Sequence, residues 1–227
     1  MDLWSSDHLG ALAATVLGAV LFTAGARRRG GDWPAGRSAL AAILLAGFAG
    51  EQAAYVLRGD WSAEVNLPFQ LSDAVTLVSI AALWRPAPLL CELVYFWALS
   101  ASLQAVLTPD LGYGFPDVLY LTYFATHGGA IAAACLLVFG ERRAPRSGSV
   151  LRVYAITVAF AACAAVATLV TGGNYMFLRR KPVRGSLLDV MGPWPIYILT
   201  AAGLAFVLFA ALAALARVAL AHVERGG

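Results

Sequence analysis

Long apolar runs broken by short polar clusters set the pattern of this chain. The runs fall at 9–26, 39–57, 67–84, 88–107, 117–139, 150–171 and 194–215 and are rich in Ala, Leu and Val. Each is close to the roughly 20 residues an α-helix needs to cross a bilayer core of about 30 Å. None shows the alternating ten-residue segments of an outer-membrane barrel. The pattern predicts an all-α, polytopic membrane helical bundle of about seven transmembrane helices, forming one integral membrane domain over residues 1–227.

Composition supports the same class. Of 227 residues, 60% are hydrophobic and only 13% charged, with a mean hydropathy of +0.74; soluble domains carry about 25% charged residues. Little chain is left for a separate soluble domain.

Orientation follows from the basic residues in short loops. With the N-terminus outside, the inner segments carry Arg27, Arg28, Arg29, Arg37, Arg85, Arg142, Arg143, Arg146, Arg152, Arg217 and Arg225. The outer segments carry Arg58, Arg179, Arg180, Lys181 and Arg184, so the sixteen basic residues divide eleven to five. The expected topology is N-terminus out and C-terminus in, across the cell membrane.

One outer stretch, "TGGNYMFLRRKP" from Thr171 to Pro182, runs against that bias. Three adjacent cations on an outer face need an anionic partner, and lipid phosphate is the nearest supply. Arginine suits bidentate phosphate contacts and lysine point-charge ones. Arg179, Arg180 and Lys181 are therefore candidate headgroup ligands, flanked by the interfacial aromatics Tyr175, Phe177 and Trp194. An interfacial anchor without a ligand would look the same.

Ionisable groups inside spans are costly and usually face an interior cavity. Glu51, Asp73, Glu92 and His127 are of this kind. His127 lies about 15 Å from the outer end of its span at 1.5 Å per residue, near mid-membrane. It is either a neutral histidine bridging helices or a general base. Glu51 reads as a hydrogen-bonded packing residue or a partner of His127, and Glu92 as an interfacial partner of Arg85. The three histidines lie far apart and the cysteines Cys91, Cys135 and Cys163 all fall inside spans. Neither set forms a metal framework, so no metal and no cofactor are expected. No exposed basic helix suggests nucleic acid.

Three stretches together carry a resemblance: "LPFQLSDAVTLVSIAALW" (67–84), "LQAVLTPDLGYGFPDVLYLTYFATHGGAI" (103–131) and "GGNYMFLRRKPVRGSLLDVMGPWPIYIL" (172–199). They resemble the YwaF-type bacterial integral membrane proteins. That family is similar in turn to eukaryotic transmembrane acyltransferases of ether phospholipids and, more distantly, to membrane hydrolases of hydroxy-fatty-acid esters. The likeness implies a nucleophile at Ser72 and a histidine base at His127, with membrane phospholipid as the partner. This chain departs from the bacterial pattern, which usually has Cys at the position of Ser72 and often His at that of Gln70. A serine hydroxyl needs a base more than a thiol does.

Asp73 would orient His127 as a third catalytic member, or pair with Arg58 or Arg184. Asn174 and Tyr175 would supply hydrogen bonds to an oxyanion. One number stands against the pairing, since Ser72 lies about 8 Å below the outer end of its span and His127 about 15 Å. Two functions follow: a lipid acyltransferase or ester hydrolase with an outer-leaflet site, or a non-enzymatic transporter, channel or lipid-binding protein in which Glu51, Asp73 and His127 line a polar route.

Overall fold

The computed structural model describes residues 4–183 and 185–225, with side chains to residue 221. Arg184 and the side chains of His222 and Arg225 lie outside the described residues. Seven long or apolar helices make up the bundle: α1 Ser6–Arg27, α2 Pro34–Arg58, α3 Leu71–Trp84, α4 Pro88–Leu107, α5 Val118–Gly140, α6 Ser149–Thr171 and α7 Ile196–Arg225. No strand occurs among the described residues. Six of the helices are long and apolar enough to cross a bilayer, and α3, with 14 residues, is shorter.

Local chemistry explains where the helices start and stop. Ser5 caps α1 by accepting from the His8 N–H at 3.3 Å, and Asp117 caps α5 by accepting from Leu119 at 2.8 Å, each satisfying an orphan first-turn donor. Pro34 and Pro88 occupy first-turn positions where no N–H is needed. Gly59 and Gly172 end α2 and α6 at φ of 75° and 81°, left-handed values that cost glycine little.

α5 is the hub, with α1 and α2 packed along it and α3 and α4 also against it. Two adjacent glycines let the first two helices approach. A Cβ on Gly128 would lie 2.7 Å from the Thr15 Oγ1 of α1, and one on Gly129 would lie 2.8 Å from a Leu44 methyl of α2. The core runs through Val75, Leu83, Tyr95, Phe96, Ala133, Leu136 and Leu137, all buried. α7 is tied in where the Tyr95 hydroxyl donates to the Leu212 carbonyl at 2.8 Å.

The loops sort into two faces. On one, Glu92 pairs with Arg146 at 2.8 Å and Arg152 at 3.0 Å, and Glu141 pairs with Arg37 at 2.6 Å and Arg143 at 2.9 Å. Glu92 therefore meets arginines far along the chain rather than the expected Arg85, because the loop before α6 folds back over the start of α4. On the opposite face lie the start of α1, the 59–70 and 108–117 segments, and the 172–195 segment. By the count of basic residues the first face is the inner one.

The brevity of α3 positions the site. Fourteen residues span about 21 Å, about 9 Å short of a core of about 30 Å. At the inner side, only residues 85–87 separate α3 from α4, so the shortfall falls at the outer end. The helix starts at Leu71 rather than at residue 67, and residues 62–70 fold over it as turns and bends rather than as a helix. Non-helical backbone at such depth needs protein partners, and the opposite loop supplies them.

Candidate functional site

The partners of the 62–70 segment come from the loop after α6. Tyr175 is fully buried. Its hydroxyl donates to the Ala63 carbonyl at 2.7 Å and accepts from the Leu67 N–H at 3.1 Å. Gln70, the residue before α3, accepts from the Met176 N–H at 2.8 Å. The two loops approach so closely that a Cβ on Gly173 would overlap the Glu64 carbonyl oxygen. Together they roof the recessed start of α3.

Ser72 and Asp73 lie under that roof. The recess narrows the depth mismatch expected from span limits. Adding one residue to the shortfall puts Ser72 about 10 Å deep, against about 14 Å for His127, nine residues into α5. Ser72 makes no side-chain hydrogen bond among the described residues, and its carbonyl accepts from the Thr76 hydroxyl at 3.0 Å. No hydrogen bond joins it to His127 among the described residues. Asp73 faces the Gln70 backbone N–H and lies within electrostatic range of Glu51. Arg58, a candidate partner for Asp73, instead pairs with Asp117 at 2.9 Å, because both stand where α2 ends and α5 begins.

His127 is held rather than free. Its Nδ1 lies 2.8 Å from the Tyr123 carbonyl one turn earlier, and its ring stacks on the Tyr123 ring at 4.1 Å between centroids and 26° between planes. A carbonyl only accepts, so in the neutral imidazole Nδ1 carries the proton and Nε2 the lone pair. No other side chain among the described residues bonds to Nε2. Tyr123 is also within electrostatic range of Glu51, which connects the histidine region to the carboxylates of α2 and α3.

A helix that starts without a side-chain cap leaves donors open. The N-cap of α3, Gln70, makes no side-chain capping bond to the helix. Asp73 and Ala74 both reach the Gln70 carbonyl, whereas the N–H groups of Leu71 and Ser72 find no acceptor among the described residues. The positive end of the helix therefore lies beside the Ser72 hydroxyl, where a developing oxyanion would be favoured.

The predicted headgroup residues divide into two sets. Tyr175 does not donate to a ligand, since its only proton is committed to Ala63. Asn174 folds the cation loop, its Oδ1 accepting from Arg179 and Arg180 at 3.0 and 3.2 Å and its Nδ2 donating to the Arg180 carbonyl at 2.8 Å. That network presents the side chains of Arg179, Arg180 and Lys181. Arg179 and Arg180 are exposed. Arg179 donates to the Gly172 carbonyl at 3.1 Å, and Lys181 sits 5.6 Å from the Tyr197 ring centroid. None of the three has a carboxylate partner among the described residues.

An apolar cavity of about 550 Å³ lies between α1 and α2 on α5, lined by Gly10, Ala14, Gly18, Leu40, Ile43 and Phe124 among others. It has the size and lining of a groove for an acyl chain, but none of Ser72, Asp73 and His127 lines it. Sequence reasoning missed Tyr123 and Glu141. The four-residue spacing of Tyr123 and His127 was the available signal, since such pairs meet on a helix; nothing near Glu141 indicated the 104-residue reach to Arg37.

The TMEM164 family model matches residues 3–213. No curated protein and no solved structure matches the chain.

Proposed function

The chain belongs to the TMEM164 family, and on that footing we propose that this membrane protein is a lipid acyl enzyme of the YwaF type, working at the outer side of the cell membrane. The observation that carries the proposal is His127, pinned as an Nδ1–H imidazole with its Nε2 lone pair unclaimed among the described residues, within about 4 Å of the depth of the Ser72 hydroxyl, which has no partner among them either. The resemblance to transmembrane phospholipid acyltransferases and ester hydrolases supplies the reaction class.

His127 Nε2 takes the Ser72 hydroxyl proton as the serine oxygen attacks an ester carbonyl of a phospholipid. The carbonyl oxygen becomes an oxyanion beside the Leu71 and Ser72 N–H groups. Collapse of the intermediate breaks the ester bond, and His127 returns its proton to the departing alkoxide. The acyl group stays on Ser72 until a second alcohol or water, deprotonated by the same imidazole, removes it. Arg179, Arg180 and Lys181 hold the phosphate, and Asp73 remains a candidate orienting group. No step calls on a metal or cofactor.

The transport reading rests on Glu51 and Asp73, two intramembrane carboxylates with no cationic partner among the described residues. It requires a polar route to both faces. Below His127, α5 continues through Ala130, Ala133, Leu136 and Leu137, all buried against apolar neighbours, which favours a site open to one side.

The test is turnover of a phospholipid panel by purified protein in nanodiscs, read by mass spectrometry. Wild type should release or transfer acyl chains, Ser72→Ala and His127→Ala should not, and Ser72→Cys should retain activity. Equal turnover by wild type and both alanine variants would remove the proposal.

A further inference from the structure

We infer that Tyr123 is the positioning residue that fixes the tautomer and aim of His127, an inference that rests on reading His127 as the base. Three contacts meet at this tyrosine. Its carbonyl accepts from His127 Nδ1 at 2.8 Å. Its ring lies against the imidazole at 4.1 Å and 26°. Its hydroxyl donates to the Ala105 carbonyl at 2.9 Å, in the last turn of α4. The Ala105 carbonyl is one of those a helix end leaves without an intrahelical donor, so the bond satisfies α4 and fixes the tyrosine ring together.

The geometry assigns each atom one task. Two acceptors face Nδ1: the Tyr123 carbonyl and, at 3.3 Å, the Thr126 hydroxyl oxygen. The Thr126 proton is directed at the carbonyls of Thr122 and Tyr123, both at 3.0 Å. The hydroxyl therefore meets Nδ1 as an acceptor, and Nδ1 must carry the hydrogen. Rotation of the imidazole about its Cβ–Cγ bond would break this arrangement, and the flat Tyr123 ring alongside it resists that rotation. Leucine in place of the tyrosine would leave the backbone carbonyl but not the flat wall. Loss of that wall frees the imidazole to rotate out of the Nδ1–H to carbonyl arrangement.

The deciding measurement is ¹⁵N NMR of histidine-labelled, full-length protein in nanodiscs at neutral to mildly basic pH. The His127 signals are identified by their loss in His127→Asn. Wild type is expected to show one neutral tautomer, protonated at Nδ1. Tyr123→Phe, which keeps the flat ring, should retain it, and Tyr123→Leu should show both tautomers. A wild-type signal protonated at Nε2 overturns the inference without any variant, as does a Tyr123→Leu spectrum identical to wild type. This readout does not depend on turnover, so a protein that fails to process lipid can still pass or fail it.

Discussion

The same residue types do opposite work at the two ends of the bundle. At the inner end, Glu92 and Glu141 are almost fully buried, with side chains 1% and 0% exposed, and each is paired with two arginines. At the outer end, Arg179, Arg180 and Lys181 stand in a row, and among the described residues their side chains have only backbone carbonyls and one aromatic ring as partners. Charge that is neutralised within the protein serves the fold. Charge left open at a membrane surface is available to an anion, and the outer loops spend Asn174 and Tyr175 on holding the shape that presents it.

This contrast predicts separable effects. The largest is on lipid binding. Replacing Arg179, Arg180 and Lys181 together with Gln should weaken binding of anionic phospholipid nanodiscs by roughly 100-fold at low salt, on the scale of a few-fold per cation near a surface. The same variant should melt within about 0.5 kcal/mol of wild type. A large loss of stability with unchanged binding would mean that the outer cations serve the fold after all.

At the inner end the expectation reverses. Arg37→Gln leaves the buried Glu141 with Arg143 as its cationic partner beside the Trp33 N–H and should cost about 3 kcal/mol, the low end for breaking a buried pair, measured by thermal unfolding in detergent. Its effect on lipid binding should be negligible.

Tyr175→Phe tests the roof between these extremes. It removes one buried hydroxyl that serves two backbone partners and should cost about 1–2 kcal/mol. Faster amide exchange confined to residues 62–70 is the signature to measure. Uniform exchange across the bundle would assign Tyr175 to the global core instead.

The smallest effect concerns acid. The Leu119 N–H, and after it Arg58, hold the Asp117 carboxyl below the usual carboxylate range. A depressed folded-state value contributes stability that is present above the unfolded value, about 3.9, and is lost as pH falls through the folded one. The start of α5 should therefore loosen below about pH 4. Asp117→Asn should flatten that dependence in a pH series of unfolding temperatures.

Much of the fold is legible in the sequence because a bilayer imposes one rule on every span, a continuous apolar run with its backbone bonds closed internally. Seven runs gave seven helices. What periodicity cannot show is that an apolar run need not be helical throughout: residues 67–70 belong to the third run, yet the helix starts at Leu71, with the Leu67 N–H given to Tyr175 and Gln70 drawn to Met176. That four-residue difference moves Ser72 toward the depth of His127. Ion-pair partners were similarly hidden. Glu92 meets Arg146 and Arg152, 54 and 60 residues away, rather than the nearer Arg85, since the chain returns to α4 through a loop whose path only the packing reveals. Tyr175 looked like an interfacial aromatic and is instead a buried fastener between loops, a role decided by what Ala63 and Leu67 lacked.

The central claim, that His127 activates Ser72 beneath this roof, meets its most direct test in covalent labelling with a fluorophosphonate, which bonds to an activated serine oxygen and releases fluoride. The expected result is a single adduct mapped by mass spectrometry to Ser72, abolished in Ser72→Ala and strongly slowed in His127→Ala. Absence of any adduct, or labelling of Ser72 at the same rate without His127, would contradict it.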